Sequence, residues 1–426
     1  MKKLVIYASL FLPLSAFAGG FQLNLQGLKA AAMGGAATGI VSDASTVFFN
    51  PGGMSRLDGH QFTFGFNIVD PYVSVQTPEV ANTNQTSERG TPIHFYYSGQ
   101  VTDKIHFGFL VNNQFGSRTS FDDDWQGRFI IQNIKLTTYM FQPTVSYKIH
   151  DKISVGGGFV YAYGDFETEK AIPISSSTTT EGKARLTGDG DGVGFNLGIF
   201  SNFLTFTHGA SKTNLNLGVS YRSEIAVDLS NGVAEFTNIP TSLLGTFPAK
   251  TSFVSKLTLP QVFTAGISAK HERGNYSIIF IYDLNWTGWS SYDTLSFNFD
   301  NADTPDSKTT KDWKDVFTHR FGVDVTYKNK YSVRAGVYHD NSPTRDGFVS
   351  PELPDITQTV YTGGLGYKVN DKVSIDFSFI RQNSDRKDLL LDANFNAHYK
   401  RKVNVYGLAL NLKLGSKSTK NDIKTE

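Results

Sequence analysis

Apolar and polar residues alternate with a period of two along most of the chain, the pattern of strands that show one face to oil and the other to water. Phe62, Phe64, Phe66 and Ile68 share one face, with Gln61, Thr63, Gly65 and Asn67 opposite. Ile105, Phe107, Phe109 and Val111 repeat the pattern, as do Leu215, Leu217, Val219 and Tyr221. So do Tyr276, Ile278, Phe280, Tyr282, Leu284 and Trp286, then Phe321, Val323, Val325 and Tyr327, and finally Tyr406, Leu408, Leu410, Leu412 and Leu414. The opposite faces carry Asp283, Arg320, Asp324, Arg334, Asp376 and Lys413. Such charges are costly against lipid but can be paired or hydrated inside a barrel, so the apolar face points outward.

The connections alternate in length. Tight polar turns fall at VTDK (101–104), IHDK (149–152), THGASK (207–212), HERGN (271–275), YKNK (327–330) and VNDK (369–372). Long polar segments lie between them, roughly at 77–91, 116–131, 168–184, 229–258, 300–312, 341–356 and 384–396. Six short turns and seven long loops predict an all-β fold, a fourteen-stranded antiparallel transmembrane barrel with short turns at one rim and long loops at the other. Closure removes every strand edge, which a backbone in a solvent without hydrogen-bonding groups requires. Trp286, Trp289, Tyr292, Tyr96, Tyr97, Tyr161 and Tyr163 fall near predicted strand ends and are expected in the interfacial aromatic belts.

Composition fits this reading. Beyond residue 18 no apolar run approaches the roughly 18 residues of a membrane helix, yet aromatics make up 13% of the chain and there are 40 Gly. Residues 1–18, MKKLVIYASLFLPLSAFA, have a basic start, an apolar run and a small-residue Ala-Phe-Ala end, the layout of a secretory signal peptide. The exported chain then begins at Gly19 and contains no Cys, so it folds without disulfides. Removing Lys2 and Lys3 takes the formal charge from +1 to −1, which gives no reason to expect a nucleic-acid partner.

No catalytic group, metal or cofactor is expected. GGAATG (34–39) lacks the Gly-Lys-Ser/Thr of a phosphate loop. GDGDG (188–192) and Asp122-Asp123-Asp124 lack the spaced ligands of a calcium loop and read as solvated loop. His94 and His106 read as lone inward imidazoles.

Residues 19–58 do not alternate. LKAAAM (28–33) predicts a short helix stopped by Gly34-Gly35, and Asp43 or Ser42 caps a second turn that ends before Pro51. About forty residues without a disulfide cannot bury a core alone, so they need a host, and the wide lumen of the barrel is available. The expected organisation is a signal peptide (1–18), an N-terminal plug (19–58), the barrel (59–414) and a polar periplasmic tail (415–426).

GGFQLN (19–24), GGAATG (34–39) and DASTVFFNPGGMSRL (43–57) resemble the hatch of the FadL-type outer-membrane transporters of long-chain fatty acids and aromatic hydrocarbons. FGSRTSFDDDWQGRF (115–129), QPTVSYKIHDKISVGGGF (142–159), LGVSYRSE (217–224), NWTGWS (285–290) and RAGVYHDNSPTRDGFVSPELPD (334–355) carry the resemblance along the chain. It implies passive uptake of hydrophobic molecules across the outer membrane of a Gram-negative bacterium. The implied route is capture in an extracellular groove, passage to a lumen pocket touched by the hatch N-terminus, and lateral exit beside a kinked third strand.

By position the hatch and gating residues are Gly19, Gly20, Phe21, Asn50, Pro51 and Gly52, and the kink is Asn112, Asn113, Phe115 and Gly116. Gly52 stands where the family usually has Ala. Fatty acid members hold the carboxylate with basic side chains, and YGDFETEK (163–170) is acidic where such a base belongs. The partners implied are a hydrophobic small molecule and outer-membrane lipid with lipopolysaccharide, the barrel acting as a monomer. An adhesin or surface receptor barrel without transport is the alternative, although an adhesin has no use for a plug.

Overall fold

The computed structural model describes residues 19–86, 89–174 and 181–415, so the expected signal peptide and all but the first residue of the expected tail lie outside it. Fourteen strands form the cylinder: β1 (His60–Gln76), β2 (Ile93–Gln100), β3 (Ile105–Asn112), β4 (Asn133–His150), β5 (Ile153–Pro173), β6 (Glu181–His208) and β7 (Ser211–Arg222) make one half. The other half is β8 (Val262–Arg273), β9 (Tyr276–Thr287), β10 (Val316–Tyr327), β11 (Tyr331–Asp340), β12 (Gln358–Lys368), β13 (Val373–Leu390) and β14 (Phe395–Leu414). Each strand pairs antiparallel with the next. The seam closes between β1 and β14, in register from His60 opposite Leu414 to Gln76 opposite His398.

The wall is inside out relative to a water-soluble barrel. Phe280 is 60% exposed and Tyr361 68%, and both face outward, whereas Asp283, Asp324, Arg334 and Asp376 are buried toward the lumen. Arg334 joins β10 to β13 through Asp324 (2.5 Å) and Asp376 (2.6 Å), and Asn411 of β14 donates to Asp376 (2.6 Å). One guanidinium between two carboxylates leaves a negative charge, and Lys29 of the N-terminal segment, 3.9 Å from Asp376, supplies the second cation that this low-dielectric interior needs.

Two expectations need correction. Three predicted loops are largely sheet. β5 and β6 run through 168–173 and 181–184, and β6, which contains GDGDG, has 28 residues where about 9–11 suffice to span a membrane. The ladder of 229–258 continues as Ile225–Thr237 paired with Lys250–Leu259, and β13 and β14 are joined by four residues, 391–394. Polarity marks where the chain leaves lipid, not where it leaves the sheet. Above the membrane, cross-strand ion pairs such as Arg185 with Glu167 (2.9 Å) and Lys183 with Glu169 (2.9 Å) suit a solvated ladder.

Second, Tyr96 and Trp289 are fully buried (0% exposed) and Tyr292 nearly so, inside the barrel rather than in an interfacial belt. Nearness to a strand end does not say on which side of the wall a ring lies. Tyr161 does face outward, and Tyr97, Tyr163 and Trp286 are half-buried.

Residues 25–57 are buried almost throughout, within the cylinder. Helix α1 (Leu28–Ala32) ends at Gly34 and Gly35, whose φ values of 70° and 75° favour glycine. Helix α2 (Thr46–Phe49) follows an Asp43 carboxylate that accepts the Ser45 N–H (2.8 Å), and a 3-10 turn spans Pro51–Arg56. The segment is tied to the wall by charge and by close approach. Lys29 reaches Asp43 (3.3 Å) and Asp376 (3.9 Å); burial opposes its charge, but the two carboxylates outweigh that and raise its pKa above the ordinary lysine value. Arg320 donates to Gly35 O (3.2 Å), and the Asp283 carboxylate accepts the N–H groups of Ala37 and Thr38 (2.9 Å each).

Wall glycines admit the segment's backbone. A Cβ at Gly336 of β11 would land on Met33 and Gly34, and one at Gly218 of β7 on the Thr38 carbonyl. The substitution Gly336→Val should therefore unseat α1 while leaving the outward apolar face intact. The expected outcome is a heat-modifiable, membrane-inserted barrel whose single-channel conductance in planar bilayers rises above wild type; wild-type conductance would show that the lumen tolerates the displacement.

Candidate functional site

The third strand is broken. β3 pairs with β4 down to Asn112 opposite Met140, and pairing resumes at Gly116 opposite Thr137, so three unpaired residues, Asn113 to Phe115, face two on the partner. Side chains take over the interrupted ladder. Asn113 Oδ1 accepts the Ile93 N–H (2.9 Å) and its Nδ2 donates to Thr138 O (2.7 Å). Thr138 Oγ1 accepts the Phe115 N–H (3.1 Å) and donates to Phe115 O (2.7 Å).

The free edge of this break is covered by the N-terminal segment. The Leu23 N–H donates to Gln114 O (2.8 Å), the Gly116 N–H donates to Phe21 O (3.0 Å), and Gln22 bridges Phe115. Gln26 adds a side-chain bond to Asn113 O (2.6 Å). The structure therefore brings Phe21 together with Phe115 and Gly116, and Gln26 with Asn113, two groups about ninety residues apart in the chain. Asn112 lies just below the break, buried and in ladder with His94 and Met140.

Aromatic packing holds the strand. The Phe21 ring lies 4.8 Å from Trp289, 5.4 Å from Tyr292, 5.8 Å from Phe115 and 5.9 Å from Trp313, mostly edge-on or tilted. Gly20 has φ 64°, and a Cβ there would sit 2.6 Å from Trp289 and 2.7 Å from Trp313, so no larger residue fits. Its N–H donates to Asp355 Oδ1 (3.0 Å), a loop carboxyl also held by Ser342 and pushed up to about 6 by burial. Gly19 abuts the Asp340 carboxylate.

Above this cluster opens an apolar cleft with about 680 Å³ of atom-free space, part of it open to solvent. Phe21, Leu136, Phe166, Leu257, Phe297 and Leu353 supply its apolar walls. The cleft also contains a base that sequence reasoning missed. Lys311 lines it, 5% exposed, with Nζ paired to the Glu352 carboxylate. Burial lowers the Lys311 pKa, but the field of Glu352 and Tyr292 more than offsets this and raises it above the ordinary value, so the ammonium stays charged. The available signal was Trp313 beside it in KDWK (311–314), an aromatic ring in an otherwise polar loop.

Below Phe21 a second, polar cavity is bounded by Gln22, Asn24, Arg222, Asp283 and Arg320. Arg222 stacks over Phe48 (4.8 Å) and donates to Gln142 (2.9 Å). Asn50, Pro51 and Gly52 lie elsewhere, against the wall. Asn50 Nδ2 donates to Thr38 O (3.0 Å) and Ile199 O (2.9 Å), and its Oδ1 accepts the Gly52 N–H (3.0 Å). Pro51 and Gly52 press on Gly156 and Gly198 of β5 and β6. This arrangement fastens the segment to the wall at a distance in sequence and fold from the Phe21 cluster.

Phe21→Ala removes the ring that four aromatics enclose, a change that costs about 3–5 kcal/mol in a packed core. Amide hydrogen exchange of residues 20–24 should speed up by orders of magnitude while β8–β12 exchange as in wild type. Equal protection in the variant would mean that the two edge hydrogen bonds alone hold the strand.

Comparison with known proteins places the fold and the family. Residues 9–414 match the model of the family described as outer membrane protein transport protein (OMPP1/FadL/TodX). A long-chain fatty acid transport protein of Escherichia coli O6:H1 is 24% identical over 411 residues, covering 88% of this chain and 89% of its own. The crystal structure of a Pseudomonas aeruginosa FadL homologue superposes with a TM-score of 0.78 at 18% identity, over 93% of this chain and all (100%) of its own. The toluene transporter TodX of P. putida superposes at 0.70 with 15% identity, over 92% and 99%.

Proposed function

The chain belongs to the outer membrane protein transport protein family (OMPP1/FadL/TodX) and is a β-barrel of the Gram-negative outer membrane, and on that premise we propose that it is a channel for passive uptake of hydrophobic molecules, long-chain fatty acids or similar apolar compounds. One observation carries the reading. The extended segment Phe21–Leu23 is at once a wall of the apolar cleft, through Phe21, and the cover of the break in β3. A ligand that fills the cleft presses on Phe21, and displacement of Phe21 uncovers the break.

The route runs from the extracellular loops into the cleft, past Phe21, and out through the wall beside Asn113–Gly116 into the membrane. Lateral exit keeps an apolar molecule out of water, where its transfer free energy is unfavourable. Residues 19–58 act as a hatch on this route. Gly19, Gly20 and Phe21 form its moving tip, and Asn50, Pro51 and Gly52 form its fixed anchor. Residues 1–18 are a leader removed on export, and the mature barrel works as a monomer in contact with outer-membrane lipid and lipopolysaccharide. No step calls for a catalytic group, which fits a family of transport proteins.

The exit is testable at Gly116, where a Cβ would already lie 3.2 Å from Leu136 O and 3.5 Å from Leu23. Gly116→Arg should cut uptake of both oleate and toluene by at least about tenfold, a barrier change of about 1.4 kcal/mol, with heat-modifiable barrel still present in the outer membrane. Undiminished uptake by an inserted variant would place the exit elsewhere.

A further inference from the structure

The apolar cleft holds one cation and one anion, and each is the other's partner. Among its lining residues Lys311 is the single base and Glu352 the single acid; the rest are apolar or carry hydroxyls. Both are largely withdrawn from water, with side-chain exposures of 7% and 20%. Both are set by their loops. The Lys311 N–H donates to Asp293 O (2.7 Å), and Glu352 sits in a turn where the Leu353 N–H donates to Ser350 O (3.2 Å) and its own N–H to Ser350 Oγ (3.4 Å). Lys170, exposed at the upper end of β5, is the next cation in the field of Glu352, and it does not line the cleft.

A buried ion pair rarely adds stability over apolar packing of the same volume, so its place in an otherwise apolar wall asks for another reason. We propose that Glu352 is a selectivity residue: by occupying Lys311 it leaves the cleft without net charge and sets it for uncharged apolar molecules over free carboxylates. The inference rests on the reading of the cleft as the ligand pocket. A neutral ligand enters and leaves the pair intact. A fatty carboxylate must either stay unpaired in the cleft or displace Glu352, which then loses its partner in a dry site, and both alternatives weaken binding. Lys311 is the natural anchor for a carboxylate, and Glu352 is an internal competitor for it.

The test uses the full-length mature protein in detergent at a pH where oleate is ionised, with methyl oleate as the uncharged counterpart of the same chain. Emission of Trp313, which lines the cleft, and of Trp289 packed against it reports binding, and heat modifiability reports folding. Wild type should bind the ester at least as tightly as the acid. Glu352→Gln keeps an amide oxygen beside Lys311 but removes the competing charge. It should tighten oleate by at least about tenfold relative to the ester, a change of about 1.4 kcal/mol, with ester affinity nearly constant. The double variant Glu352→Gln with Lys311→Met should lose that gain. Lys311→Met alone, which leaves Glu352 unpaired, should bind oleate more weakly than the double variant while the ester is spared in both; equal oleate affinity in the two overturns the role of Glu352 even if Glu352→Gln alone does not fold.

An oleate-to-ester ratio unchanged by Glu352→Gln, or a wild type that already prefers the acid about tenfold, overturns the selectivity role. If neither compound binds wild type, the cleft is not a ligand pocket, and the proposed uptake function falls with it.

Discussion

A peptide backbone in hydrocarbon has nothing to hydrogen-bond with except itself, and the rest of this structure follows from that constraint. The sheet must close, so β14 returns to β1 along seventeen paired positions from His60 to Gln76. A cylinder of fourteen strands is too wide for side chains to fill. The chain therefore lays its own first forty described residues inside it, and the wall accommodates them with charges and with glycines. Where the wall is broken, at Asn113–Phe115, the constraint still holds. The orphaned edge is paid off by Asn113, Thr138 and the backbone of Phe21–Leu23.

The N-terminal segment is held in two different ways along its length. From Leu28 to Arg56 the contacts are buried charge and backbone pressed on backbone: Lys29 on Asp376, Arg320 on Gly35, and Asn50 on Ile199. These directional, low-dielectric contacts fix one geometry. From Gly19 to Leu23 the hold is mainly aromatic packing with two edge hydrogen bonds and the Asp355 carboxyl. Ring contacts tolerate sliding and are replaceable by another apolar group. The molecule thus places its most exchangeable contacts where the apolar cleft meets the break in β3.

Much of the fold was legible because lipid imposes a strict alternation. Phe62 to Ile68 and Tyr406 to Leu414 read correctly as outward faces, Asp283, Arg334 and Asp376 as inward ones, and the six tight turns gave the strand count. Strand ends are poorly legible, because Glu169 and Lys183 look like loop in sequence but remain in the ladder above the membrane. The site was legible only in parts. Phe21 and Phe115 could be singled out separately, but nothing local shows that they touch, since their pairing is non-local. Trp289 and Tyr292 were placed at the rim because period-two logic fails once the chain leaves the strand at Gly288. Lys311 and Glu352 look like any other charges in polar loops; only the fold removes them from water.

The glycines of the wall have a consequence for how such a chain can change over time. At Gly336 and Gly218 a methyl group would meet main chain first rather than a movable side chain. No rotamer adjustment can relieve that overlap, so a substitution on one surface must be answered by a shift of backbone on the other. The inner surface of the barrel and the path of residues 33–39 are therefore bound to drift together, whereas the outward apolar positions, which touch only fluid lipid, are free to diverge singly. In a pair of distant relatives with interchangeable lipid faces, grafting the N-terminal segment of one into the barrel of the other should fail as a matter of shape, even where every ion pair is kept.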